Sequence, residues 1–330
     1  MKVKEIRPRA AVPGGIIRVE VEGLSGVADL RVEVGEVEAQ FLGASPNALT
    51  LKVPESASGN GLVVYQGQNR ARSSMKVARL VAQELYSVSN PVVDDRGSVY
   101  CAFSGPRGEK VPFSVYVIDP EGNKQPFLAE IVNATGLAIG PDRLLYITSR
   151  HTGTVYRSSF DKQLEKYIEG LGLATGIAFD LDGNMVLGDR GGTVYRISPD
   201  RQISVLCELE PSVSAYHLAT APDGSIFISG PTLSTQDSIY RVSRDGQVEV
   251  FFKGLGRPQG MAFDADGNLQ VAASFQGKKG IYTFKGKSPE WTISGPMLTG
   301  LAYTPAKDRL YMVDSSNLYA LDLAGPSASL

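Results

Sequence analysis

The chain has 330 residues, 42% of them hydrophobic, with 36 Gly and 19 Pro; this turn-rich composition suits an all-β chain of two or three domains. Lys and Arg number 33 against 35 Asp and Glu, a formal net charge of −2, so there is no global attraction to a polyanion or an anionic membrane and nucleic acid is not an expected partner. The cysteines, Cys101 and Cys207, are too few and too separated for a disulfide framework or a zinc set, and are read as buried free thiols.

No apolar run reaches the length of a bilayer span, and the opening MKVKEIRPRAAVPGG lacks the apolar core of a signal peptide. The expectation is a soluble monomer without membrane insertion, a mature exported form remaining open. Residues 1–78 alternate polar and apolar, as in IIRVEVEG from Ile16, DLRVEVG from Asp29, ALTLKVP from Ala48 and GLVVYQG from Gly61. Such period-two runs, cut by Gly, Pro and Asn, predict a small antiparallel sandwich. The runs IRPRAAVPGGIIRVEVEGL, VEVGEVEAQFL and LTLKVPESASGNGLVVY resemble the immunoglobulin-like IPT/TIG domain, a resemblance that implies a fold and almost nothing about function. Residues Asn69 to Arg79 read as the last sandwich strand leading into a solvated linker.

From residue 79 onward the chain repeats itself. The copies are ATGLAIGPDRLLYITS from Ala134, ATGIAFDLDGNMVLGD from Ala174, AYHLATAPDGSIFISG from Ala215, PQGMAFDADGNLQVAA from Pro258 and LTGLAYTPAKDRLYMVD from Leu298, with a degenerate first copy, SNPVVDDRGSVYCAFS, from Ser89. Equivalent positions Asn90, Gly136, Gly176, His217, Gly260 and Gly300 lie 46, 40, 41, 43 and 40 residues apart, a blade period, which predicts a six-bladed β-propeller over 79–330. In blade 3 the strands read Gly176 to Phe179, Met185 to Leu187, Thr193 to Ile197 and Ile203 to Leu206. Blade 6 supplies only three strands, so its fourth is expected from residues 79–86, closing the ring and removing open sheet edges. The starts of the inner strands share one face, the mouth, with the loops after each second strand, and the sandwich should lie toward the opposite face or the rim.

The Gly-hydrophobic-Ala-Phe inner strand and the DxDGN turn resemble the NHL-repeat and SMP-30 (gluconolactonase) propellers. Gluconolactonases hydrolyse sugar lactones with one divalent metal, and the resemblance maps its four ligand positions onto Ser89, Thr175, Tyr216 and Gln259. None of these carries a charge, and the family's aspartate base falls on Gln259, so the fold is implied and the activity is not. Thr135 and Thr299 complete a hydroxyl-rich mouth ring, suited to a neutral polar ligand or to a water column.

Further candidates at the mouth are His151 and His217 as base or ligand, Asp189 and Asp314 at second-strand ends, and Tyr216 and Phe275 as an apolar wall. Arg150 and Arg190, at equivalent positions of adjacent blades, could clamp a carboxylate or phosphate. The bland alternatives are satisfied core histidines, aspartates capping their own loops and scattered solvated charges. Asp180-Leu-Asp-Gly-Asn184 and Asp264-Ala-Asp-Gly-Asn268 resemble the start of a calcium loop but lack its glutamate, and read as hairpin turns. The expected function is non-catalytic recognition of a small polar molecule, a glycan or a peptide at the mouth, with no catalytic residue, cofactor or metal. A lactone or ester hydrolase whose metal moved to Asp189, Asp314 and His217 is the enzymatic alternative, the one case calling for a divalent cation, and a purely architectural cell-surface role is a third.

Overall fold

A computed structural model describes residues 1–26 and 29–323, and the described residues contain strands and turns but no helix. Blade 1 is a meander of Val92–Val93, Val99–Ala102, Val115–Ile118 and Lys124–Leu128. Blades 2, 3 and 4 repeat the pattern with inner strands Ala134–Ile139, Ala174–Phe179 and His217–Thr220. The turn from inner to second strand carries Arg96-Gly97 in blade 1, Asp142-Arg143 in blade 2, Ala306-Lys307 in blade 6 and Asp-Gly in blades 3, 4 and 5, as at Asp182-Gly183. In that turn the Asp180 carboxylate accepts the Asp182 and Asn184 amides at 3.0 and 2.9 Å, a side chain serving as turn scaffold.

The last inner strand, Gly300–Tyr303, begins a blade whose outer edge comes from far away in sequence. Arg79–Ala82 pairs antiparallel with Leu318–Asp322, Leu80 lying opposite Tyr319. Beyond Ala82 the chain leaves the sheet, held by the Leu85 amide on the Ser316 carbonyl at 3.0 Å. Inner strands of successive blades pack side by side, and that of blade 6 returns to that of blade 1. The ring is therefore closed.

Glycine is what lets these strands approach. A Cβ on Gly260 would sit on the Asn90 amide oxygen, and one on Gly136 would overlap the Thr175 carbonyl, so the repeat's glycine marks close backbone approach rather than an unusual dihedral. Blade cores are local: Val155, Ala174 and Leu187 are buried between blades 2 and 3, and Ile239, Val271 and Phe284 between blades 4 and 5. Both cysteines are free and buried, and burial pushes the Cys101 thiol up to about 12.

Residues before the repeat form two sheets facing each other across a core containing Val19, Val32, Leu49, Leu51, Leu62 and Met75. One sheet orders Lys2–Arg7, Ile16–Glu22, Ala48–Lys52 and Gln40–Ser45. The other runs from Val37–Glu38 through Leu30–Val34 and Gly59–Gln66 to Asn69–Val77, and continues into blade 5. The connecting piece is Ala10–Ala11, which pairs in parallel with Asn69–Val77 on one side and with the outer strand Ser288–Ser294 on the other. Asn69–Val77 is the expected last sandwich strand, but the solvated linker expected after it is not there: Ala78 is fully buried, and its amide donates to the Ala11 carbonyl at 2.8 Å. The sandwich thus sits on the rim, against the outer strands of blades 5 and 6.

Candidate functional site

The hydroxyl ring expected at the mouth is sealed. Ser89, Thr135, Thr175 and Tyr216 are buried, at 5%, 0%, 1% and 1% exposure, and their polar atoms tie blade to blade. The Ser89 hydroxyl donates to the Thr135 carbonyl at 2.5 Å, Thr135 to the Asn133 carbonyl at 2.9 Å, and the Thr175 hydroxyl accepts the Tyr216 amide at 3.1 Å. Tyr216 is a plug whose ring lies against Gly188 and Gly230 and whose hydroxyl donates to the Glu210 carbonyl. The half-buried Thr299 donates to the Val313 carbonyl at 3.3 Å. Asn90 completes the seal: its Nδ2 donates to the Met261 carbonyl at 2.9 Å, and its Oδ1 accepts the Leu301 amide at 3.1 Å.

Below the seal the axis widens into a cavity of about 310 Å3 lined by Leu137, Ile177, His217, Leu218, Leu301 and Tyr303 among others. The far ends of the inner strands, including Ile139, Phe179, Thr220 and Tyr303, are half-buried, so this cavity is reached from the face opposite the mouth. His217 belongs to its wall rather than to the mouth. Burial alone lowers its pKa from 6.5 to about 4, so the imidazole is neutral at physiological pH.

Asp314 is used within its own loop, whereas Asp189, expected to cap its own loop, reaches across to the segment that leads into the inner strand of blade 3. Asp189 accepts the Leu173 amide at 2.6 Å; Asp314 accepts the Ser316 and Asn317 amides, each at 2.7 Å, and the Tyr319 hydroxyl at 3.1 Å. Among the described residues no three His, Cys, Asp or Glu side chains come together to hold a metal ion. The positions matching gluconolactonase ligands, Ser89, Thr175, Tyr216 and Gln259, offer only neutral oxygens, three of them buried and already hydrogen-bonded. That donor set does not fit a divalent cation. Phe275, half-buried, packs edge-on against Phe252 and Tyr282 with centroids 5.8 and 6.0 Å apart, a core role rather than a mouth wall.

What the loop face does present is positive charge without carboxylate partners. Among the described residues Arg107, Lys110, Arg150, Arg190, Arg257, Lys278 and Lys279 have no carboxylate within ion-pair distance. On the turn face Arg157 meets Asp142 at 3.2 Å, Arg241 meets Asp223 at 2.6 Å and Arg196 meets Asp180 at 3.4 Å. Arg150 and Arg190 are near enough that Arg190, and Arg107 after it, add to burial in lowering the Arg150 pKa. Arg190 donates from Nε to the Ser212 carbonyl at 3.1 Å. His151, exposed, lies against Gly108 of the blade 1 loop.

Two depressions share this face. One, of about 320 Å3 between blades 5 and 6, is walled by Arg257, Gln259, Lys279, Met297 and Thr299. The other, of about 440 Å3 where blades 6, 1 and 2 meet, is walled by Tyr86, Val88, Phe103, Ser104 and Arg150. Ser315 lines both. Sequence reasoning missed Tyr86, Phe103, Ser104 and the organiser Asn133. The buried Asn133 amide donates to the Ser104 and Pro106 carbonyls at 2.7 and 2.8 Å and accepts the Gly108 amide at 2.7 Å. The one available signal was an amide residue just ahead of the Ala-Thr-Gly repeat.

No family model and no curated protein matches this chain. Solved structures do. A protein of unknown function from Bacteroides thetaiotaomicron VPI-5482 superposes with a TM-score of 0.57 at 15% identity, covering 97% of each chain. A gluconolactonase from Xanthomonas campestris reaches a TM-score of 0.60 at 18% identity over 75% of this chain and 90% of its own. An auxiliary nutrient binding protein from Bacteroides ovatus ATCC 8483 gives 0.51 at 12% identity, covering 96% and 97%. The shared property is the fold. This chain is all-β and folds as a β-propeller of the kind seen in gluconolactonases, and no helix among its described residues is long and apolar enough to cross a membrane.

Proposed function

We propose that this propeller is a non-catalytic recognition module that holds a small polar, negatively charged ligand on its loop face. The observation that carries the reading is the set of loop-face cations without carboxylate partners beside two adjoining depressions. An unpaired guanidinium at a concave surface is a ready donor and counter-charge for a carboxylate or phosphate. Exposed apolar side chains on the same face, Leu233 at 92%, Met297 at 68% and Tyr86 at 54%, suit a ligand with an apolar part. Similarity over nearly the whole length to a structure called an auxiliary nutrient binding protein is in keeping with a binding role. In this reading the N-terminal sandwich is an IPT/TIG-like, immunoglobulin-type support, the repeats are of the NHL type, and the chain acts as a monomer without a cofactor.

The reading is tested by thermal shift and calorimetry of the full chain against sugar acids, organic acids and their neutral counterparts, alongside elemental analysis. Acids that bind in preference to neutral partners, with binding weakened by salt, are the expected result. A tightly held divalent ion together with turnover of a lactone would replace it with the hydrolase reading.

A further inference from the structure

We infer that the axial cavity below the seal is a second binding site, entered from the face opposite the mouth, and that it takes a small uncharged hydroxyl compound with an apolar body, anchored on His217. It is separate from the loop-face site and is tested without it. The inner strand of every blade pairs on one side only, so the axis is ringed by free strand edges and the side chains there decide how wide it stays. The repeat sets a small one at the same place in five blades: Ala138, Ala178, Ala219, Ala262 and Ala302 all line the cavity, and Val92 takes that place in blade 1.

The polar side chains of this wall are committed elsewhere, with one exception. Asn90 bonds to blades 5 and 6, and Ser89 to the Thr135 carbonyl. The Thr220 hydroxyl donates to the Phe179 carbonyl and the Tyr303 hydroxyl to the Gln270 Oε1, each at 2.6 Å. His217, 3% exposed, makes no side-chain hydrogen bond to any described residue. The described polar atoms that are both sealed from solvent and unpartnered lie on Ser104, Arg150, Arg196 and Asp237. The His217 nitrogens are not among them, so, unpartnered in the protein, they keep surface open to the cavity that the ring lines. A buried donor and acceptor left to themselves cost stability, and here a ligand can complete them. The imidazole is neutral at physiological pH, with one N–H and one lone pair. A hydroxyl both donates and accepts, so it completes either nitrogen whichever carries the proton. No Asp, Glu, Lys or Arg lines the cavity, so a charged ligand would lose its water without gaining a counter-charge. Leu137, Ile177, Leu218 and Leu301 give the apolar body its wall.

The test is NMR and calorimetry of the full chain with phenol, with toluene as its isostere lacking the hydroxyl, and with benzoate as its charged counterpart. Phenol at millimolar concentration should saturably shift the His217 ring protons and the amides of Ala178, Ala219 and Ala302, and benzoate should move none of them. His217→Phe should weaken phenol on the order of tenfold relative to toluene. Ala302→Leu, at a half-buried position on the cavity wall, should expel both by bulk while leaving His217 in place, which covers the case that His217→Phe misfolds. Benzoate binding as well as phenol, a phenol-to-toluene ratio untouched by His217→Phe, or phenol shifts that survive Ala302→Leu would each overturn the proposal. So would phenol that moves no cavity signal, which would mean that the axis holds water alone.

Discussion

At the scale of single residues, the repeat's departures from glycine carry the information. Asn90 stands where four copies have glycine, and its side chain bonds to blades 5 and 6 together. Asn90→Ala should therefore cost about 1–3 kcal/mol, since it leaves the Met261 carbonyl and the Leu301 amide without their partner; urea unfolding at neutral pH measures it, and a loss below about 0.5 kcal/mol would deny Asn90 its closing role. His217 replaces glycine with a buried imidazole whose pKa falls from 6.5 to about 4. The unfolded chain binds that proton below about pH 6.5 and the folded chain only near pH 4, so the stabilisation is full above the first value and is lost as pH falls through the second. The contribution is roughly 3 kcal/mol, and the stability difference between the wild type and His217→Asn should shrink as pH is lowered from above 6.5 to 4. A difference that stays constant would mean the imidazole is not held neutral. The composition of the inner ring was readable from register alone; its burial was not, because whether a hydroxyl faces the axis or a neighbouring carbonyl depends on how closely the strands approach.

At the scale of elements, strand periodicity and turn chemistry made the blades legible, since blades 1 to 5 are local meanders and in blades 3, 4 and 5 an Asp-Gly turn announces the reversal. Asn69–Val77 and Ala78 show where locality ends. The stretch Asn69 to Arg79, with three arginines and a lysine, reads as a last strand running out into solvent, yet that strand lies in the middle of a sheet, flanked by Gly59–Gln66 and by Ala10–Ala11. Arg79–Ala82, directly after it, covers the edge of Leu318–Asp322. A proline at Leu80, opposite Tyr319, should disturb that pairing and uncover an edge strand. Leu80→Pro is expected to lower the melting temperature and to produce concentration-dependent association in size-exclusion chromatography with light scattering. A monomeric variant of unchanged melting temperature would show that the closing strand is dispensable.

For the whole molecule, the parallel insertion of Ala10–Ala11 makes one sheet of the sandwich and blade 5 a continuous nine-stranded sheet. Ser294 is the hinge pin of this seam: its carbonyl accepts the Val12 amide at 2.8 Å, and its hydroxyl accepts the Ile16 amide at 2.8 Å. Lys76 adds a bond across to the Asp322 carbonyl at 2.9 Å. Because backbone pairing couples the two parts directly, they should unfold together despite having separate cores. Gly15 offers a way to cut them apart, since a Cβ there would meet the Ser294 carbonyl at 2.8 Å and the Val12 carbonyl at 3.0 Å, both of them backbone atoms that cannot swing away. The single tryptophan, Trp291, lies in the blade 5 strand at this seam and reports on it. In the wild type, tryptophan fluorescence and far-ultraviolet circular dichroism should trace the same transition in urea. In Gly15→Val the fluorescence change should come first and the transition by circular dichroism should broaden or split. Gly43→Ala, where the added carbon meets nothing closer than the Thr50 Cβ at 4.0 Å, should leave both curves superimposed. Coincident curves in Gly15→Val at an unchanged midpoint would mean that the seam does not couple the two parts.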